Sequence, residues 1–312
     1  MDNRTDFQED ALDNTEEMNL TSKLELERIG HEFKNLKETL FHYTSFDTLK
    51  KIAENGTWRF SSINGTNDLS EHLNLYVTYL LKQSGLFEFI SEDVKENVIQ
   101  NINNQNYYGY KDYFITCFSS EEDDLGQWRV RYGDFGRGVC IGIDPKFFTD
   151  KEYILKTDNL GWSKIEYNIN KQNNIVSEIL KEYEEPDSVW NIDNAMDLAA
   201  KLRDIALTMK HYAFNIEHEY RLIAGCVDQG FSEAEFISED MTKDYVDYDL
   251  NRRFDIYKKP LFKSILIGKD SKIKEKDIQN LFRYNGLAAP EILISKSDIP
   301  YRFADELKRR KF

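Results

Sequence analysis

The segment Glu217–His218–Glu219–Tyr220–Arg221 sets two carboxylates and a guanidinium at alternate positions. Successive side chains of a β-strand point to opposite faces, which predicts Glu217, Glu219 and Arg221 on one face and Tyr220 and Leu222 on the other. Two carboxylates side by side repel unless solvent, the arginine or a ligand separates them, an arrangement costly in a core and common in a site. The bland alternative is a solvated edge strand with an ordinary ion pair worth about 0–1 kcal/mol. His42, inside Leu40–Phe41–His42–Tyr43–Thr44, is either a satisfied core histidine or a ring nitrogen offered to a ligand hydroxyl, with Thr44 on the same strand face. Trp128 and Tyr132 stand in a charged, glycine-dotted stretch from Ser119 to Gly138. They would anchor a core or stack on a cationic or planar heterocycle.

Other chemistries find less support. Cys117, Cys140 and Cys226 are odd in number and far apart, with no CxxC and no basic neighbours. Neither a disulfide framework, a zinc ribbon nor a nucleophilic thiolate is expected. No GxxxxGK[ST] occurs, nor a GxGxxG after a strand, so P-loop and dinucleotide-fingerprint readings lack a basis. Asp68, Glu71 and His72 with Glu219 would be the residues of a metal-dependent nuclease, but their order has no recognised ligand spacing, and no metal ligands are assigned.

The candidates need elements to hold them. LFHYT (40–44) predicts a short buried strand. The helix after it should be capped by Ser45, bury Leu49, Ile52 and Ala53, and stop at Gly56. TWRFSS (57–62), YFITCFS (113–119), GVCIGID (138–144) and EHEYRLIAG (217–225) predict further strands. Residues 23–38, 68–100 and 170–215 read as helical, the last interrupted near Pro186, and the segment between 119 and 138 as a loop with one or two helical turns. FKSILIG, a helix from Ser271 to Tyr284 and EILIS predict a closing β–α–β. Without repeats or a Pro/Gly-rich linker, one α+β domain over residues 23–312 is expected, preceded by an acidic flexible tail at 1–22.

The chain has 312 residues, with 41 Lys and Arg against 56 Asp and Glu, a net charge of −15. Such a balance argues against tight binding along a nucleic-acid backbone, which needs clustered cations. Seven of the carboxylates lie within residues 1–22 against Arg4 alone. Hydrophobic residues make up 40% and aromatics 13%, enough for a sizeable core. No apolar run of about 18 residues suggests a membrane span, and the first ten residues carry no signal-peptide pattern, so a cytoplasmic location is expected.

In order, FHYTSFDTLKKIAENGTWRFSS, NDLSE, FITCFSSEEDDLGQWRVRYGDFGRGVCIGID, FNIEHEYRLI and SDIPYR resemble a bacterial domain-of-unknown-function family, over roughly residues 38–303. That layout is remotely similar to the ADP-ribosyltransferase superfamily of the histidine–tyrosine–glutamate class. The resemblance implies a split antiparallel sheet core with helical insertions and an NAD-dependent ADP-ribosyltransferase or NAD glycohydrolase, with NAD as substrate. It matches His42 to the early histidine, Thr44 to its accompanying hydroxyl, Trp128 or Tyr132 to the stacking aromatic after Ser119, and Glu219 to the catalytic acid. Glu217 completes an E-x-E, and Tyr43 stands where that superfamily often has glycine. The implied site is therefore Glu219, Glu217 and His42 as catalytic residues, with Tyr43, Thr44, Ser119, Trp128, Tyr132 and Arg221 around the cofactor. It also implies a macromolecular acceptor, for which the acidic charge favours a protein over a nucleic acid, an inhibitory partner or phage-derived trigger, and a role as toxin or antiviral defence effector. The alternative is a non-catalytic nucleotide-sensing or protein-interaction module using the same cleft.

Overall fold

The computed structural model describes residues 36–63, 96–100, 113–129, 131–149, 160–182, 192–225, 245–251, 259–287 and 292–300. The expectations for the tail at 1–22, most of the helices at 23–38 and 68–100, the trio Asp68, Glu71 and His72, and the Tyr301–Arg302 end of the closing motif lie outside the described residues, and residues 36–38 are not helical.

Strand β1 (Leu40–Thr44) leads into helix α1 (Phe46–Asn55) and strand β2 (Thr57–Ser62). Ser45 caps α1 by accepting from the Thr48 N–H, Leu49, Ile52 and Ala53 are buried, and Gly56 at φ 64° returns its N–H to the Ile52 carbonyl. That left-handed geometry favours glycine, as the sequence suggests. Strand β3 (Tyr113–Ser119) follows, then a short helix α2 (Leu125–Arg129) and a 3-10 turn (Arg131–Gly136) before β4 (Val139–Ile143). Next come α3 (Lys146–Thr149), β5 (Leu160–Lys164), α4 (Ile169–Lys181) and α5 (Ile192–Ala206). A second 3-10 turn (Tyr212–Glu217) feeds β6 (Glu219–Gly225), followed by β7 (Tyr245–Asp249), β8 (Phe262–Ile267), α6 (Glu275–Tyr284) and β9 (Leu293–Lys296).

Nine strands among the described residues form one sheet in the order β5-β6-β3-β1-β4-β8-β9, with β2 pairing β3 and β7 pairing β2. Every pair is antiparallel except β8–β9, which is parallel across α6. The fold is α+β with helical insertions, as expected, and the sheet is mixed because the closing β–α–β, also expected, adds its one parallel pair. Strands β5 and β7 were not foreseen.

Alternation along β3 and β6 divides the core. Phe114, Phe118, Leu222 and Ala224 face a large cluster containing residues of α1, α3 and α6. Tyr113, Ile115 and Ile223 face the helices α4 and α5 through Val176, Leu180, Leu198 and Leu202. The other notable feature is a fork. One edge of β3 pairs fully with β6, whereas the opposite edge is shared, β2 reaching Phe114 and Ile115 and β1 only Ser119. Trp58 of β2 braces the fork: its Nε1–H donates to Thr116 Oγ1 at 3.1 Å, and its ring stacks on Phe118 at 5.6 Å.

Trp58 is 1% exposed. Trp58→Ala is expected to cost about 3–5 kcal/mol, read as a lower urea midpoint. A loss below about 1 kcal/mol would show that the ring does not brace the fork.

Candidate functional site

The site lies where the fork beside β3 meets the start of β6. His218, with φ 48°, turns the chain out of the 3-10 segment, so β6 begins only at Glu219. This corrects the shared strand face expected for Glu217 and Glu219: Glu217 projects from the turn. The two carboxylates meet instead at Lys210, whose Nζ donates to Glu217 Oε2 at 2.6 Å and to Glu219 Oε2 at 3.3 Å. Arg221 follows the expected alternation, its Nε donating to Glu219 Oε1 at 2.7 Å and its guanidinium also to the Leu207 carbonyl at 3.1 Å.

Two cations thus answer two carboxylates. Lys210, Glu219 and Arg221 are nearly sealed, at 3%, 4% and 1% exposure. Burial alone would raise the Glu219 pKa. The charges of Arg221 and then Lys210, with hydrogen bonds from Arg221 and the Cys117 thiol, outweigh it and lower the value from 4.5 to about 2. The Glu219 backbone N–H also donates to the Tyr167 hydroxyl at 3.1 Å.

A cleft of about 340 Å³ opens at the fork. His42 borders it from β1, Ser61 from β2, Cys117 and Ser119 from β3, and Lys210 with Glu219 close the far wall. This volume is in the range of small-molecule sites. His42 Nδ1 lies 2.8 Å from the Cys117 carbonyl oxygen, which can only accept, so Nδ1 carries the proton and Nε2 the lone pair. Its ring meets Trp58 edge-on at 5.2 Å and Phe118 at 5.5 Å. Burial pushes its pKa down, partly opposed by the Cys117 bond, so the imidazole is neutral at pH 7. Nε2 has no hydrogen-bond partner among the described residues.

The other expected residues divide. Ser119, Glu217 and Tyr132 border the cleft, Tyr132 with half its surface exposed. Trp128 is not a cleft aromatic: it is 1% exposed, donates Nε1–H to Asp123 Oδ1 at 2.6 Å and packs edge-on against Tyr43. Tyr43 borders the cleft, but its hydroxyl serves the loop. It faces the carbonyls of Glu121 and Glu122 at 2.9 and 2.8 Å as donor and accepts the Asp124 N–H at 2.9 Å. Thr44 is buried, and Thr48 of α1 borders the cleft in its stead. Arg221 reaches the site through Glu219. Lys210, Gln127 and Tyr167 were missed: Lys210 and Tyr167 arrive from segments whose local pattern carries no signal of a site, and in the Ser119–Gly138 stretch the aromatics stand out while Gln127 does not. No group of three or more His, Cys, Asp or Glu side chains able to hold a metal occurs among the described residues. Among those residues, no helix is long and apolar enough to cross a membrane.

Residues 127–222 match the model of a family described as "Protein of unknown function (DUF2971)". No curated protein and no solved structure matches. The match covers the 3-10 turns, β4 to α5 and the opening of β6, hence Gln127, Lys210, Glu217, Glu219 and Arg221. It corrects the labels that the remote resemblance suggested: the family matched is one of unknown function, and the match supports none of ADP-ribosyltransferase, toxin or antiviral defence.

The charge quartet makes stability depend on acid. Because the folded Glu219 pKa is depressed, its contribution is fully present above the unfolded value near 4.5 and is lost as pH falls towards about 2. Lys210→Met removes one cation from a buried network. The variant is expected to lose about 3–5 kcal/mol at pH 7, and its acid unfolding should begin at higher pH than the wild type's. Superimposable acid-unfolding curves would show that Lys210 does not hold Glu219 ionised.

Proposed function

We propose that the cleft at the fork binds a ribonucleotide and holds it without turnover. The observation that carries this reading is the placement, on one small cleft, of a neutral imidazole acceptor and an accessible aromatic ring, His42 and Tyr132. An unprotonated Nε2 accepts from a ribose hydroxyl, and a tyrosine face takes a base by stacking. The ion pairing of Glu219 favours binding over catalysis. A carboxylate matched by Lys210 and Arg221 has its charge compensated, so it offers a weakened field to a developing cation.

A second reading is cleavage of an N-glycosidic bond beside Glu219, and one observation favours it: His42 and Glu219 border the same cleft. There Glu219 would stabilise an oxocarbenium-like ribose once Lys210 releases Oε2. Water or a macromolecular nucleophile would take the ribosyl group.

Calorimetric titration with AMP, ADP-ribose and NAD⁺, beside an assay for free nicotinamide, separates the two. Saturable binding that weakens at least about tenfold in His42→Phe, with no nicotinamide release, is the expected outcome. Release by the wild type that disappears in a folded Glu219→Gln variant would replace binding by glycosidic chemistry. Absence of any nucleotide binding by folded protein would overturn both.

A further inference from the structure

Gln127 is the first residue of the matched family region and the third of α2. It borders the cleft while only 7% exposed. Its amide is oriented without ambiguity: Nε2–H donates to the Glu217 carbonyl at 3.0 Å, and a carbonyl can only accept. Oε1 is thereby committed to the other side, where it accepts from nothing among the described residues. Nor does it belong with the atoms sealed from solvent without a partner, such as Asn173 Oδ1. An amide oxygen neither bonded nor sealed, on a residue that borders the cleft, is an unfilled acceptor, and leaving such a group unmatched costs binding energy.

Ser119 supplies its counterpart. The residue is 3% exposed and borders the same cleft, and its hydroxyl accepts the Glu121 N–H at 3.2 Å, which leaves the hydroxyl proton to donate. The two side chains are tied to one short piece of chain, since Ser119 pairs with Glu219 across β3–β6 and Gln127 holds the Glu217 carbonyl. Fixed donors and acceptors of this kind discriminate by what they leave unpaired, not by what they attract.

We propose that Gln127 and Ser119 select a ligand presenting an N–H donor beside an acceptor, the edge of a primary carboxamide or of an aminated base. This rests on the cleft being a small-molecule site, and it adds to the ribonucleotide reading the part of the ligand that confers specificity. The ligand's N–H donates to Gln127 Oε1, and the Ser119 hydroxyl donates to the neighbouring acceptor. A ligand with oxygen in place of the amino group sets acceptor against acceptor at Gln127.

The test is a set of matched pairs titrated against the full chain, AMP beside IMP and nicotinamide beside nicotinate. The amino and amide members are expected to bind about tenfold to a hundredfold more tightly. In Gln127→Met, of similar length and without either amide function, the ratio is expected to fall to within about threefold. Ser119→Ala retains Gln127 and should weaken AMP and nicotinamide by about tenfold, so it serves where Gln127→Met does not fold. Equal binding within the wild-type pairs, or a ratio unchanged in folded Gln127→Met, overturns the proposal. Discrimination between nicotinamide and nicotinate with no nucleotide bound would sustain it while removing the ribonucleotide reading. Failure of all four compounds to bind overturns both.

Discussion

Strand β3 offers one edge to two partners, and neither β1 nor β2 covers it fully. Buried backbone groups left without partners are costly, so the open stretch between Ile115 and Ser119 has to be satisfied by side chains. His42 does this at the Cys117 carbonyl. Beside it, Trp58 closes the gap from below by bonding Thr116 and stacking on Phe118. The two readings of His42 therefore converge. Its Nδ1–H completes a broken ladder, and the same bond fixes the tautomer that leaves Nε2 as an acceptor on the cleft. A fork in a sheet is thus both the structural problem and the origin of the concavity.

The far wall of that concavity is electrostatic. Removing Glu219 from water without cations would be prohibitive; with Lys210, Arg221 and the partly exposed Glu217 the group is neutral as a set, and each Glu219 oxygen has its own donor. Arg221 also anchors to the Leu207 carbonyl, and Gln172 holds the Lys210 carbonyl at 2.9 Å. The segment after α5 is consequently pinned at both ends of its charge-bearing stretch. Such a network contributes position more than net stability: it fixes where the 3-10 turn Tyr212–Glu217 lies, and so where Glu217 presents its carbonyl to Gln127. The chain's −15 charge has no counterpart here, since the site is internally balanced.

Much of this frame is legible in the sequence. β1 and β3 are readable as short apolar and aromatic runs, β2 by its alternation, and α1 by the Ser45 cap and Gly56. β5 and β7 are not. Leu160–Gly161–Trp162–Ser163–Lys164 contains only two large apolar residues, and Tyr245–Asp249 alternates tyrosines and valine with acids that its partner strand answers. Arg59 of β2 binds Asp247 through paired bonds of 2.9 Å and lies over the Tyr245 ring. Pattern reading sees neither a cross-strand partner nor a ladder closed from a distance. The site follows the same rule. His42 and Glu219 stood out by residue type, whereas Lys210 gains its meaning only from a turn at His218 that a uniform strand pattern concealed.

The loop from Ser119 to Gly138 shows why Gln127 holds its amide so firmly. Asp123 accepts from Trp128 Nε1–H and from the Ser297 hydroxyl at 2.8 Å, joining the loop to the chain after β9. Tyr43 secures the same turn from β1, and Asp124 Oδ1 accepts the Gln127 N–H at 2.8 Å to start α2. Beyond α2 the chain folds back through Asp134, Phe135 and Gly136, all at positive φ, into a corner where Gly138 sits against the Thr44 carbonyl. A side chain at Gly138 would place its Cβ about 2.2 Å from that oxygen, so β1 and β4 approach this closely only with glycine there. The sealed Trp128 ring and the exposed Tyr132 ring thus have opposite duties four residues apart. One locks the loop into the core, and the lock leaves the other, with Gln127, held against the cleft.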